Sequence, residues 1–442
     1  MVPRVYSYWF LWPWGRSVGG LEARYCLPSS RIVPTGGWLP ERYFSLVLFS
    51  RDRRSRMSAM SNRVRLYLVS VASLGWAVSF GLLSSLAPLT MQDAGESPST
   101  IGLNTSLYYL GVAAASPVVP LLMRYGRWCV MIGMALDAAT TMIFPIVSGA
   151  MLWHVVRFVG GVGTALSLIP METLVNHHAP KSHRASNFGF YAFCVACGLA
   201  IGSGLGLPLY PLTATLPYFL AATVTLVATG LAWVAMPANA SAPETVSEGH
   251  ISWWNEGFCF ATAWVQGFLE GGTFAFLTLY LLGRGASESF AAILMSGLFV
   301  GVIIAQLPLG YVADRIGLKR SVAFCLMALL TGLAMVPFAP LLVLVGILFV
   351  LGASCGALYP LGLALLGERV PSSALSRANA YYLMANCVGS LSGPLLIGLA
   401  VEKWGLTALF SIGAIAVIVV LGILPTMGGR TSTSAESLRQ AA

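Results

Sequence analysis

The stretch LLVLVGILFVLGASCGALYPLGLALL, residues 341–366, runs 26 residues without a charged side chain. A helix of that length rises about 39 Å at 1.5 Å per residue, enough to cross the roughly 30 Å hydrocarbon core of a bilayer. A soluble helix would need a polar face, and this one has none. Eleven further apolar segments follow the same rule, near 66–89, 100–122, 128–148, 151–175, 186–209, 214–236, 256–282, 289–311, 321–338, 376–400 and 406–425. Short turn-forming runs separate them, such as Asp93-Ala-Gly-Glu-Ser-Pro98. The expected fold is an all-α membrane protein of twelve transmembrane helices.

Composition agrees. Of 442 residues, 57% are hydrophobic and 9% are charged, against about 25% charged in soluble domains. The net charge of +9 would suggest nucleic acid in a soluble protein. Here the basic residues sit in short patches between apolar runs, so loop orientation explains them and no nucleic-acid partner is expected. Seven of the cysteines (Cys129, Cys194, Cys197, Cys259, Cys325, Cys355 and Cys387) lie inside apolar runs, unlike a secreted disulfide framework. The first 56 residues mix Trp, Pro, Gly and Arg without a period. Residues 1–60 are read as a non-conforming extension, with Met57 or Met60 as the expected native start and a targeting segment as the alternative.

Basic residues fix the expected orientation. With a cytoplasmic N-terminus, the inner loops hold nine (Arg124, Arg127, Lys181, Arg184, Arg315, Lys319, Arg320, Arg369 and Arg377), and the outer loops hold Arg284 and Lys403. Both termini are therefore expected inside, in a plasma membrane, with a bacterial inner membrane as the expected location. The domain reading is a six-helix bundle over 61–236, a cytoplasmic linker over 237–254, a second bundle over 255–427 and a tail over 428–442.

The halves repeat. Arg124 and Gly126 map onto Arg315 and Gly317 at a shift of 191, Gly161 onto Gly352, and Gly198 and Gly202 onto Gly389 and Gly393. Six helices repeated in one orientation imply two bundles with a site near the midplane between them.

Gly310-Tyr-Val-Ala-Asp314-Arg315-Ile-Gly317-Leu-Lys319-Arg320 closely resembles the loop signature of the major facilitator superfamily, between helices eight and nine. The resemblance covers residues 60 to about 425. Leu358-Tyr359-Pro360, Gly389-Ser-Leu-Ser-Gly393-Pro394 and Gly267-Phe-Leu-Glu270-Gly271 are most similar to its YcaD-like branch. The resemblance implies secondary transport by alternating access and a cytoplasmic gate at Asp314. The bland alternative is a topology anchor with Arg315, Lys319 and Arg320 at lipid phosphates. In the first half, Met123 replaces the acid and Val119 the first glycine, so any gate is asymmetric. Arg157-Phe-Val-Gly-Gly161-Val-Gly163 resembles the fourth-helix signature tied to proton coupling; snorkelling to the outer interface is the rival. Gly189, Gly198, Gly202 and Gly206 resemble the antiporter glycine helix, with Ser203 where the pattern has Pro; helix eleven carries Gly389, Gly393 and Pro394. These glycines serve either close packing or a hinge.

Acids inside the spans are the first coupling candidates. An ionisable group there costs about 2.5–3.5 kcal/mol on insertion scales, so it is expected to be paired or to face water. Glu270 is mid-span in the seventh segment among Gly267, Gly271 and Gly272, which suits reversible protonation; a hydrogen bond to a neighbouring helix is the alternative. Glu172 lies near the inner end of the fourth segment, where a solvated acid is the rival. Asp137 is read as a structural hydrogen bond or a partner of Arg157. Arg157 and Glu172 are about 22 Å apart along one helix and cannot pair. Gln306, Tyr359, Asn379 and Asn386 are further polar candidates.

Other matches fail on context. Gly352-Ala-Ser354-Cys-Gly356 fits a nucleophile elbow, but lies in a spanning segment rather than after a strand. Cys194-Val-Ala-Cys197 lacks a redox setting, and His177, His178 and His183 are read as loop residues rather than a metal site. No enzyme activity and no cofactor are expected. The expected partners are a small organic solute, protons and lipid, with the chain a monomer. The functional reading is proton-coupled export; uptake, a non-transporting sensor and lipid flipping are the alternatives.

Overall fold

The computed structural model describes residues 62–178, 184–237, 256–370 and 375–424; the side chains of 62–63, 176–178, 184–189, 306, 307, 310, 314 and 375–377 are outside that set. So are the 1–60 extension, most of the 237–254 linker, the 428–442 tail, and the side chains of His177, His178 and His183.

Each expected segment is helical, the second in two pieces. They are α1 (Asn62–Asp93), α2 (Pro98–Ala115), α3 (Arg127–Ile143), α4 (Ala150–His178), α5 (Arg184–Leu209), α6 (Leu216–Ala235), α7 (Gly257–Gly283), α8 (Glu288–Ile316), α9 (Leu318–Met335), α10 (Leu341–Arg369), α11 (Leu375–Trp404) and α12 (Ala408–Ile423). Among the described residues nine are long and apolar enough to cross a membrane, and a bent pair makes ten. The remaining two, α3 and α12, have 17 and 16 residues.

Three boundaries differ from expectation. The second segment is not one helix: α2 stops at Ala115, and Val119–Tyr125 continues after a 56° bend. Pro117 and Pro120 explain the break, since neither has an amide donor to continue the i→i−4 ladder; Ser116, just before Pro117, still keeps helical geometry and its bond to the Val112 carbonyl. The third helix ends at Ile143 rather than 148, because Pro145 follows. The signature around Gly310 is barely a loop: α8 continues through Ile316, only Gly317 interrupts it, and α9 begins at Leu318. Gly317 holds φ +92°, a left-handed value that a side chain would strain.

The internal repeat is visible in which helices touch. In the first half, Gly198 and Gly202 of α5 face the Leu74 and Val78 carbonyls of α1; in the second, Gly389 and Gly393 of α11 face the Trp264 and Phe268 carbonyls of α7. Likewise Gly111 of α2 faces the Phe158 carbonyl of α4, and Gly301 of α8 faces the Phe349 carbonyl of α10. At each of these positions an added Cβ would overlap the facing backbone. Small residues let the helices approach to backbone contact where lipid supplies no hydrophobic drive. The two six-helix bundles are thus built on one plan, and α2 meets α11 as α5 meets α8. Side chains such as Met151, Phe338 and Leu342 are exposed on the outside, an apolar surface suited to lipid.

The bundles are joined at the end bearing the α1–α2 turn. There Ser106 donates to the Leu391 carbonyl at 2.7 Å, and Gly102 lies against Pro394 and Gly398. On the other flank Ser296 donates to the Ala200 carbonyl at 3.2 Å, beside Gly204.

Candidate functional site

Glu270 lies on α7, whose glycines bring it against α11: Gly267 faces the Asn386 carbonyl and Gly271 the Ser390 carbonyl. One turn earlier on the same face, Gln266 donates its amide to the Glu270 carboxylate at 2.6 Å. Asn386 of α11 in turn donates to the Gln266 side-chain oxygen and to the Ala263 carbonyl at 3.1 Å. Cys355 of α10 contacts the Gln266 carbonyl at 4.0 Å. The carboxylate is thus held by a short polar chain running from α11 through α7. The hydrogen bond to Glu270 comes from its own helix, not from a neighbouring helix as the bland expectation had it.

Glu270 and Gln266 open onto a cavity of about 140 Å³ whose other walls are mainly leucine and phenylalanine, including Leu269, Phe274, Leu298, Phe299, Leu329 and Leu333. Most of the lining belongs to the second bundle; Ala196 and Leu199 of α5 bring in the first. The field of the carboxylate reaches Tyr108 and Tyr109 on α2, Tyr359 and Cys355 on α10, and Cys387 on α11. A single acid therefore faces both bundles.

Arg157 is in a different place. It does not snorkel: it is 4% exposed, with its guanidinium 4.8 Å from the Tyr108 ring centre, a cation–π geometry. Tyr108 is fixed by Thr164 at 2.8 Å, which also accepts from Trp76 at 3.1 Å. Asp137, 2% exposed on α3, shares this first-bundle interior. Among the described residues no ion pair joins Asp137 to Arg157, and Asp137 Oδ2, Arg157 Nε and Arg157 Nη1 are buried without hydrogen-bond partners. The expectation of a structural hydrogen bond at Asp137 fails for that oxygen; the Thr140 and Thr141 hydroxyls bond its backbone carbonyl instead. From Arg157 a ladder of rings crosses between bundles: Tyr108 to Phe80 at 5.2 Å and Phe80 to Phe274 at 5.4 Å. Phe274 is one turn from Glu270.

Glu172 is half-buried at 3.5 Å from the Tyr191 hydroxyl of α5. The carbonyl of Tyr359 accepts from Tyr382 at 3.0 Å. The side chains of Gln306, Gly310 and Asp314 lie outside the described set. Arg315 is exposed and bonded to Tyr311, its guanidinium 4.2 Å from that ring. Pro394 touches both α7 and α2. Ser203, in the matching position of α5, donates to the Gly81 carbonyl at 2.8 Å, so the missing proline is replaced by a side-chain tie.

Two site residues escape the sequence reading. Gln266 is four residues before Glu270, and that spacing on an apolar helix was the signal for it. Tyr109, whose buried hydroxyl has no hydrogen-bond partner among the described residues, carried only the weak signal of a Tyr-Tyr pair.

The Major Facilitator Superfamily family model matches residues 68–287 and 259–438. The chain is 26% identical over 374 residues to the uncharacterised MFS-type transporter YfkF of Bacillus subtilis strain 168, spanning 80% of this chain and 92% of that protein. It is 25% identical to the uncharacterised MFS-type transporter YE1530 of Yersinia enterocolitica, spanning 83% and 97%. Among solved structures, the nucleoside transporter NupG superposes with a TM-score of 0.66 at 14% identity, covering 83% of this chain and 99% of that one. A bacterial homologue of the human lysosomal transporter Spinster, inward-facing and unoccupied, gives 0.63 at 12%, covering 83% and 94%. These two likenesses speak to the fold. The chain belongs to the Major Facilitator Superfamily and is a multi-pass membrane protein of the secondary transporter class.

Proposed function

We propose that this transporter exports a small, largely apolar organic solute in exchange for protons, with Glu270 as the residue that binds either proton or solute. The observation that carries the reading is the position of one membrane-embedded carboxylate on the wall of an inter-helix cavity, oriented by Gln266. A bare carboxylate among leucines is costly, so exchange of a proton for a solute group relieves the same charge in both halves of the cycle. The titratable side chains sharing its field are Tyr108, Tyr109, Cys355, Tyr359 and Cys387. Arg157 tunes the first bundle through Tyr108, with Asp137 as its buried counter-charge. With both termini cytoplasmic, as the basic residues favour, the joined end faces outward, and an exporter would load from the opposite side. Asp314, within the signature, serves the opposite gate.

NupG is a nucleoside transporter. The walls here offer Gln266, Glu270 and Thr273 against many leucines and phenylalanines; a solute with several polar edges would leave them unpaired, which favours a more apolar cargo. The motif likeness to the YcaD-like branch fits the same reading, and the reading places the protein as a monomer in the plasma membrane.

The test uses inverted membrane vesicles with a lumenal pH dye and a panel of compounds, comparing wild type with Glu270→Gln. Compound-dependent proton movement in wild type alone is the expected result. No proton movement with any compound, in folded and correctly oriented protein, would sink proton exchange and turn the reading to uniport or a non-transporting sensor.

A further inference from the structure

We infer that the cavity beside Glu270 takes a small organic monocation with an apolar body, a substrate class that rests on the transport reading above and narrows it. Three features of the walls point the same way. First, Glu270 is the only charged side chain among the lining residues. The embedded cation Arg157 does not line the cavity and is stacked on Tyr108 inside the first bundle. The potential in the cavity is therefore negative, which favours a positive solute and opposes an anion.

Second, the carboxylate is incompletely satisfied. Gln266 donates to Oε2, and no side chain among the described residues donates to the other oxygen. Gln266 is itself tied to Asn386, so it is pre-set to present the acid to the cavity rather than to fold over it. An ammonium or guanidinium group has the complementary charge.

Third, the remaining surface suits an apolar cation rather than a hydrated one. Phe274, Phe299 and Phe410 line the cavity, and their ring faces attract cations. Leu329 and Leu333 are among the other walls, against which a strongly hydrated inorganic ion would lose its water without replacement ligands. At about 140 Å³ the space suits a solute of benzene size or smaller.

The experiment measures binding to the purified full chain in lipid nanodiscs by intrinsic tryptophan fluorescence and by thermal stabilisation. The probes are three compact molecules of similar shape, each small enough for the cavity: tetramethylammonium, neopentane (carbon in place of the nitrogen) and methanesulfonate. The expected result is at least tenfold tighter binding of the cation than of either other probe. That preference is lost in Glu270→Gln and kept in part in Glu270→Asp, whose charge is retained. Equal binding of the neutral probe, preference for the anion, or undiminished cation binding by Glu270→Gln overturns the inference. So does failure of all three to bind a wild-type protein that unfolds cooperatively. The two readings fail separately. If the vesicle assay finds proton-coupled movement of a neutral or anionic compound, transport stands and the cationic class falls. If the cation binds through Glu270 but no compound moves protons, the class stands and proton exchange falls.

Discussion

Gln266 donates to Glu270 at 2.6 Å along α7, and the same Gln266 accepts from Asn386 across the α7–α11 contact. An amide that bridges two helices cannot rotate freely, so the acid it holds is pre-oriented toward the cavity. Replacing Gln266 with Leu keeps the bulk and removes both bonds. The proton movement of the vesicle assay should fall at least tenfold while the protein still inserts and folds. Wild-type coupling in Gln266→Leu would show that Glu270 needs no orienting partner.

Asn386 tests the other end of that chain. Its amide reaches the Ala263 carbonyl at 3.1 Å as well as Gln266. Interhelical polar contacts in membranes average about 0.6 kcal/mol and reach about 1.7 kcal/mol, so Asn386→Ala should destabilise the second bundle by about 0.5–1.5 kcal/mol. Reversible unfolding in mixed micelles reads this directly, and a change near zero would mean that the amide is idle.

Much of the fold was legible because bilayer thickness and helix rise leave few choices for a 26-residue apolar run. The glycine spacing of α5 and α11 was legible too, since backbone contact demands small residues at fixed intervals. The end of α8 was not: hydropathy falls at the charges after Gly310, yet charged residues propagate a helix well, and only Gly317 stops it. The break after Ala115 was written in Pro117 and Pro120 but hidden by the apolar residues around them. The direction of Arg157 could not be read from one helix, because Tyr108, which receives it, belongs to another. Glu270 stood out as a charge in a span; that Gln266 and Asn386 hold it depends on which helix faces α7.

Glycine contacts give a sharp internal comparison. A Cβ at Gly389 would strike the Trp264 carbonyl, whereas nothing lies within 4 Å of one at Gly346. Gly389→Ala should therefore cost about 1–3 kcal/mol, as overpacking does, while Gly346→Ala should be neutral or slightly stabilising through helix propensity. Denaturation of the two variants side by side decides it; equal stabilities would remove close approach as the role of the α11 glycines.

An ion pair at the other end of the second bundle was not anticipated. Arg369, closing α10, meets Glu256, at the start of α7, at 2.6 Å, with side chains 17% and 10% exposed. Arg369→Ala should cost about 1.5–3 kcal/mol, the range for hydrogen bonds to charged groups. Reversing both charges, with Glu256→Arg and Arg369→Glu, should recover part of the loss. If the double variant is no better than the single, the contact contributes through packing rather than charge.

The joined end of the two bundles can be locked chemically. A Cβ built at Gly204 of α5 lies 4.0 Å from the Cβ of Ser296 on α8, within the 3.5–4.5 Å span of a disulfide. Gly204→Cys with Ser296→Cys, in a background freed of the native cysteines, should cross-link under mild oxidation without distorting either helix. Alternating access requires these helices to part when the joined end opens. Oxidation should therefore abolish transport by the double variant, reduction should restore it, and either single variant should be insensitive to both. Full activity of the cross-linked protein would mean that α5 and α8 stay together throughout the cycle, and that solute passes by some route other than separation of the bundles at this end.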